Sequence, residues 1–119
     1  MKKVYHLNSC STCARLLKDV DFEAAGFELQ NIKEQNIEEE TVEFLKDKLG
    51  SYEAFFSKRA MKYKSLGLKE KNLSDDELKD YILDEYTFLK RPVVIDGDHV
   101  FVGNAKKTFE AIKKHVEGV

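Results

Sequence analysis

Cys10 and Cys13 are the only cysteines of the 119-residue chain, and two residues separate them. The preceding segment, KVYHLN at 3 to 8, has the β-branched and aromatic character of a short strand and ends at polar Asn8 and Ser9. From Cys10 onward the apolar residues Cys13, Leu16, Leu17 and Val20 recur at helical spacing, and Ala24 extends that face to a stop at Gly26. Cys10 therefore falls where a strand hands over to a helix. A thiol at that address faces backbone N–H groups and the positive end of the helix dipole, both of which favour thiolate over thiol. Arg15 and Lys18 on the same helix add to the positive field. Cys13, one turn along, is placed to attack a mixed disulfide on Cys10 and release the partner, which is how a CxxC pair resolves. Structural zinc wants four ligands, and His6, His99 and His115 lie far from the pair without the spacing of a second ligand pair, so no metal is expected.

Arg91 and Pro92 form the second informative pair, because the chain's one proline stands directly before Val93, Val94 and Ile95. Proline is unwelcome inside a ladder unless it serves a special purpose such as a cis peptide, although X–Pro bonds in general favour trans. Taken alone, Arg91 reads equally well as a surface cation paired with a carboxylate.

The elements that hold these residues follow from the apolar pattern. Residues 27 to 33, FELQNIK, suit a half-buried strand, so the chain opens as strand, helix, strand. Residues 38 to 88 contain no proline, carry many Glu and Lys, and repeat apolar residues at spacings of three and four, which predicts a helical insert. Within it one helix starts at Thr41 and ends near Gly50, a second covers Tyr52 to Phe56, and a turn follows Lys58 and Arg59. Ser74 and Glu77 make a capping box ahead of a third helix with Leu78, Tyr81, Ile82 and Tyr86 on one face. After Pro92 come a strand ending at Asp96, a hairpin through Gly97 and Asp98, a strand from His99 to Val102, and a last helix from Gly103 and Asn104 with Phe109, Ile112 and Val116 as its apolar stripe. The order βαβ, insert, ββα makes one α/β domain spanning residues 1 to 119.

With 42% hydrophobic and 35% charged residues, the chain has the composition of a soluble globular protein. A net charge of -2 provides no global field for nucleic acid, so no direct nucleic-acid contact is expected. No apolar run is long enough to span a bilayer, and MKKVYHLNSC lacks a signal-peptide core, so the expected location is the cytoplasm. In that reducing compartment a lone CxxC serves redox chemistry more often than stapling.

Three motifs in order, YHLNSCSTC, SKRAMKYKSLGL and KRPVVIDGDHVFVG, give the chain a resemblance over almost its whole length to the arsenate reductase and Spx group of thioredoxin-fold proteins. The resemblance implies a thioredoxin-like mixed four-stranded sheet, βαβ plus ββα, with the helical insertion between the halves. It makes Cys10 the nucleophile, Cys13 the second cysteine of an Spx-like pair where the reductases usually have serine, and Arg91 the arginine that holds an oxyanion or the thiolate. It places Pro92 at the position that is cis in thioredoxin folds. Asn8, Ser11 and Thr12 of the cysteine turn, with Arg59 and Pro92, become the substrate-binding set. The third arginine of the reductases falls on Val102, which removes one donor from an oxyanion site.

Two functions follow from this resemblance. The first is a small thiol oxidoreductase acting on an oxyanion or a disulfide, with no bound cofactor, and restored by glutathione with glutaredoxin or by thioredoxin. The second is an Spx-like redox-sensing regulator that holds RNA polymerase, with the cysteine pair as its switch. Gly50 lies at the corresponding polymerase contact, although a glycine there is more simply a helix C-cap.

Overall fold

A computed structural model describes residues 1 to 118 and arranges β1 (Lys2–His6), β2 (Glu28–Asn31), β3 (Val93–Asp96) and β4 (His99–Val102) in one sheet ordered β2-β1-β3-β4. β1 runs parallel to β2, while β3 is antiparallel to both of its neighbours, so the sheet is mixed. The parallel pair needs a crossover, and α1 (Ser11–Asp19) supplies it. The antiparallel pair needs only Gly97 and Asp98, with Gly97 at φ 59°, a conformation that favours glycine at a hairpin turn. The expected α/β fold, a thioredoxin-like βαβ and ββα sheet with a helical insertion, is the fold observed.

Two compact units build the chain. The first joins Met1–Gln35 to the stretch from Arg91 onward. Its register aligns Leu29, Val4, Val94 and Phe101 in one row across all four strands. Onto that row pack Leu16, Leu17 and Val20 from the α1 region and Phe109, Ile112 and Val116 from α5 (Lys106–Glu117). Strand side chains alternate faces, so Tyr5, Val93 and Ile95 point to the opposite face, where they too are fully buried. The two central strands therefore read as apolar runs rather than as alternations.

The second unit, Asn36–Lys90, contains α2 (Glu39–Leu49), α3 (Met61–Ser65) and α4 (Asp75–Asp84) with short 3₁₀ turns at Glu53–Phe55, Leu68–Glu70 and Tyr86–Phe88. α2 carries Glu39 and Glu40 in its first turn and Lys46 and Lys48 in its last, matching the helix dipole at both ends. Gly50 closes it in the left-handed region at φ 90°, so the cap accounts for this glycine. Asn36 Nδ2 donates to the carbonyls of Ile82 and Leu83 at 3.0 and 3.1 Å, satisfying acceptors that the end of α4 would otherwise leave open. Phe56 stacks on Phe88 with ring centroids 5.1 Å apart, and the Ser57 N–H donates to the Phe88 carbonyl.

Several element limits differ from those the sequence predicts. α1 stops at Asp19 instead of reaching Ala24, because Val20 turns extended and Asp21 Oδ1 accepts from the Ala24 N–H, which lets Phe22 into the core. β2 is limited to Glu28–Asn31, α2 begins at Glu39 rather than Thr41, and the predicted helix from Tyr52 to Phe56 is a 3₁₀ turn. α3 is absent from the sequence reading because none of its residues is buried, so no apolar stripe announces it. Tyr86 lies beyond α4 in the next 3₁₀ turn, and α5 starts at Lys106 because Gly103, at φ 98°, turns to donate to the Pro92 carbonyl.

Candidate active site

The turn between β1 and α1 sets the position of Cys10. Its N–H donates to the Leu7 carbonyl at 3.0 Å, and its own carbonyl accepts the first helical bond from Ala14. Cys10 is the N-cap of α1, with extended dihedrals of φ -87° and ψ 112°. This is the position at which Ser or Asp side chains accept from the backbone N–H groups of the next turn. A thiolate takes the same bonds. The sulfur is half-buried, and Thr12 Oγ1 lies 3.1 Å from it. Burial pushes the Cys10 thiol up, but hydrogen bonds from the Thr12 hydroxyl, the Cys13 N–H, the Cys13 thiol and the Thr12 N–H outweigh it and bring it from 9.0 down to about 7. Arg15 and Lys18 are exposed, and the lowering comes from these short hydrogen bonds at the helix start rather than from the two cations.

Cys13 differs from Cys10 in every one of these respects. Its side chain is fully buried, and burial pushes its thiol up to about 12, with the neighbouring Cys10 adding to the rise. The Leu7 backbone and the charge of Arg91 pull weakly the other way. At neutral pH the pair is thus one partly ionised thiol beside one protonated thiol, both free.

The Arg91–Pro92 peptide is cis, as the resemblance implies and against the general preference for trans. Pro92 is buried, and its carbonyl accepts from Gly103 at 3.0 Å. Arg91 is half-buried and close enough for its charge to act on Cys13. Val102 pairs with Val93 on the neighbouring strand, so the position of the third arginine is apolar.

Of the remaining predicted residues, Thr12 reaches the Cys10 sulfur directly. Asn8 lies on the exposed turn before Cys10, where its N–H donates to Asn31 Oδ1 at 3.4 Å, and Ser11 is the exposed first residue of α1. Arg59 belongs to the other unit, on an exposed turn before α3.

Sequence reasoning passed over Asn104, reading it only as a helix start. Its Nδ2 donates to Thr12 Oγ1 at 3.3 Å across 92 residues of sequence. The one available signal was its place directly after the hairpin that carries Val102.

No histidine is among the leading influences on either thiol. His6 is buried in β1, where loss of solvent lowers its pKa against the raising influence of Glu34. His115 Nε2 lies 2.9 Å from Asp96 Oδ2, with the His99 ring tilted by 49° and its centroid 4.4 Å away. Among the described residues no group of three His, Cys, Asp or Glu side chains is arranged to hold a metal. No helix among the described residues is long and apolar enough to cross a membrane.

The model of the ArsC family matches residues 5–112, which include both cysteines, Arg91, Pro92 and the insert between them. The chain belongs to the ArsC family. It is 32% identical over 109 residues to the uncharacterized protein YusI of Bacillus subtilis (strain 168), a match covering 89% of this chain and 92% of that one. The fold is similar to that of SACOL0876 from Staphylococcus aureus COL, with a TM-score of 0.74 and 25% identity over 93% of this chain and 97% of that one. It is also similar to the arsenate reductase from Vibrio cholerae, with a TM-score of 0.76 and 20% identity over 93% and 94% of the two chains. At that identity the second likeness concerns the fold.

Proposed function

We propose that this ArsC-family protein is a small thiol oxidoreductase whose nucleophile is Cys10 and whose resolving thiol is Cys13. The observation that carries this reading is the split within the pair, with Cys10 lowered to about 7 at the helix start and Cys13 raised to about 12 beneath it. Such a pair presents one attacking sulfur and keeps the other in reserve, so the order of the two steps is built into the site.

With an arsenate-like oxyanion, the Cys10 thiolate attacks the central atom, and an oxygen leaves as water after taking up protons. Cys13 then gives up its proton and attacks the Cys10 sulfur. The Cys10–Cys13 bond forms, the sulfur-to-substrate bond breaks, and its electron pair stays on the central atom, reduced by two electrons. With a disulfide substrate the same two attacks transfer the same two electrons to the leaving thiols. Glutathione with glutaredoxin, or thioredoxin, restores the dithiol. Arg91 holds the anionic group and favours ionisation of Cys13 when its turn comes. Asn8, Ser11 and Thr12 line the cysteine turn.

Val102 leaves the oxyanion without a third arginine, which favours a disulfide or sulfenate sulfur as the better substrate. The regulator reading shares the same cysteine pair, but the glycine peculiar to it, Gly50, is explained by the cap of α2.

The test is arsenate-dependent NADPH consumption by the purified protein, with glutathione and glutaredoxin or with thioredoxin and its reductase, against Cys10→Ser. Turnover that disappears in the variant is the expected result for the oxyanion branch. No arsenate turnover, with glutathionylated peptide reduced in a Cys10-dependent way, selects the disulfide branch. Retention of full activity by Cys10→Ser overturns the assignment.

A further inference from the structure

Thr12 has a single hydroxyl hydrogen and two neighbours that compete to define where it goes. Cys10 Sγ is 3.1 Å from its oxygen, and Asn104 Nδ2 is 3.3 Å from the same oxygen. An amide nitrogen can only donate, so the Asn104 bond uses a lone pair of Thr12 Oγ1 and leaves the hydroxyl hydrogen for another acceptor. The sulfur of Cys10 is that acceptor, and it accepts best as a thiolate. Without Asn104 the hydroxyl is free to rotate and accept a hydrogen bond from the thiol instead, which favours the neutral sulfur.

We infer that Asn104 is a positioning residue for Cys10, donating to Thr12 Oγ1 and so committing the Thr12 hydroxyl hydrogen to the Cys10 sulfur. The inference rests on the reading of Cys10 as the nucleophile. Its consequence is a link between the two halves of the sheet unit. Asn104 follows β4, the strand paired with β3 behind Pro92, whereas Thr12 belongs to the first turn of α1. Gly103, held by its bond to the Pro92 carbonyl, fixes the backbone immediately before Asn104. The cis-proline strand and the acidity of the thiol are therefore connected through two side chains, Asn104 and Thr12, neither of which needs to touch the substrate to act on the sulfur.

The experiment is the pH dependence of iodoacetamide alkylation of Cys10 in the reduced full-length chain, followed by mass spectrometry from pH 5 to pH 9. Cys13 stays protonated over this range, so the profile reports Cys10 alone. Four proteins are compared: the unaltered chain, Asn104→Ala, Thr12→Val and the double variant. Asn104→Ala is expected to move the midpoint upward by about half a pH unit, about threefold slower alkylation at pH 6 and little change at pH 9. In the Thr12→Val background, where no hydroxyl remains to be oriented, Asn104→Ala has no further effect. Thr12→Ser keeps the hydroxyl and restores the sensitivity to Asn104→Ala.

A midpoint unchanged or lowered by Asn104→Ala overturns the inference, and so does an equal shift with and without the Thr12 hydroxyl. A lowered midpoint would mean that Thr12 donates to Asn104 and accepts from the thiol. Alkylation requires no physiological substrate. A chain that reduces neither arsenate nor disulfides but shows the coupled shift refutes the oxidoreductase reading and keeps the role of Asn104, whereas an active enzyme without coupling does the reverse.

Discussion

Cys10 and Cys13 stand one turn apart on α1, yet the first is half-exposed and lowered to about 7 while the second is fully buried and raised to about 12. The difference comes from one geometric fact. The N-cap position turns the first sulfur toward the open N–H groups of the helix, and one turn later the second lies inside the core, away from solvent.

This asymmetry predicts which thiol is caught in an adduct. Incubated with oxidised glutathione at pH 7, Cys13→Ser accumulates a Cys10–glutathione mixed disulfide because nothing resolves it. The unaltered chain passes on to the Cys10–Cys13 disulfide, and Cys10→Ser forms less than about a tenth of the adduct, since a thiol near pKa 12 is almost wholly protonated at that pH. Intact-mass measurement of the three proteins distinguishes these outcomes.

Arg91 is expected to act on the second step more than on the first. Its charge favours the Cys13 thiolate and is not among the leading influences on Cys10, which are burial and the hydrogen bonds from Thr12 and Cys13. Arg91→Met is expected to leave the pH profile of Cys10 alkylation in place while slowing intramolecular disulfide formation by up to about tenfold, the factor carried by one pKa unit. Stopped-flow release of glutathione from a preformed Cys10 adduct measures that step. Equal slowing of both steps would assign Arg91 to holding the turn together.

Tyr52 donates to Glu43 at 2.6 Å, and this bond, with burial second, holds its phenol up to about 12. A pKa raised on folding above 10.0 means stability that is complete below pH 10 and disappears as pH rises through about 12. Tyr52→Phe therefore lowers the urea midpoint at pH 8, and the gap from the unaltered chain narrows above pH 10. Absorbance titration at 295 nm is expected to lose a phenol step near pH 12 in Tyr52→Phe.

The capping box on α4 is complete, with Ser74 Oγ accepting from the Glu77 N–H and the Ser74 N–H donating to Glu77 Oε1. Ser74→Ala is expected to cost about 1 kcal/mol in urea denaturation, and Ser74→Asp to recover most of it. A cost near zero would mean that α4 is held by Leu78 and Ile82 in the core without help from its cap.

Residues 74 to 77 were legible in the sequence because a capping box is a local code, and the hairpin at 96 to 99 was legible for the same reason. The strand-to-helix address of Cys10 was equally local, since it needs only the change from one apolar period to the other within ten residues. α3 was not legible, because an exposed five-residue helix leaves no stripe of apolar residues to detect. The end of α1 at Asp19 was missed because Ala24 continues the helical spacing, while the burial of Val20 and Phe22, which ends the helix, depends on strands far along the chain.

The sequence by itself determined the chemistry at hand: two thiols at CxxC spacing on a helix start, an arginine before the only proline and, by resemblance to the reductases, a valine where they carry a third arginine. Only the tertiary structure decided how that chemistry is biased. It buried Cys13, set the Arg91–Pro92 peptide cis, brought the charge of Arg91 onto Cys13 and placed Asn104 against Thr12. Burial and hydrogen-bond direction are properties of side chains that meet across long stretches of sequence, and no spacing within a single segment encodes them.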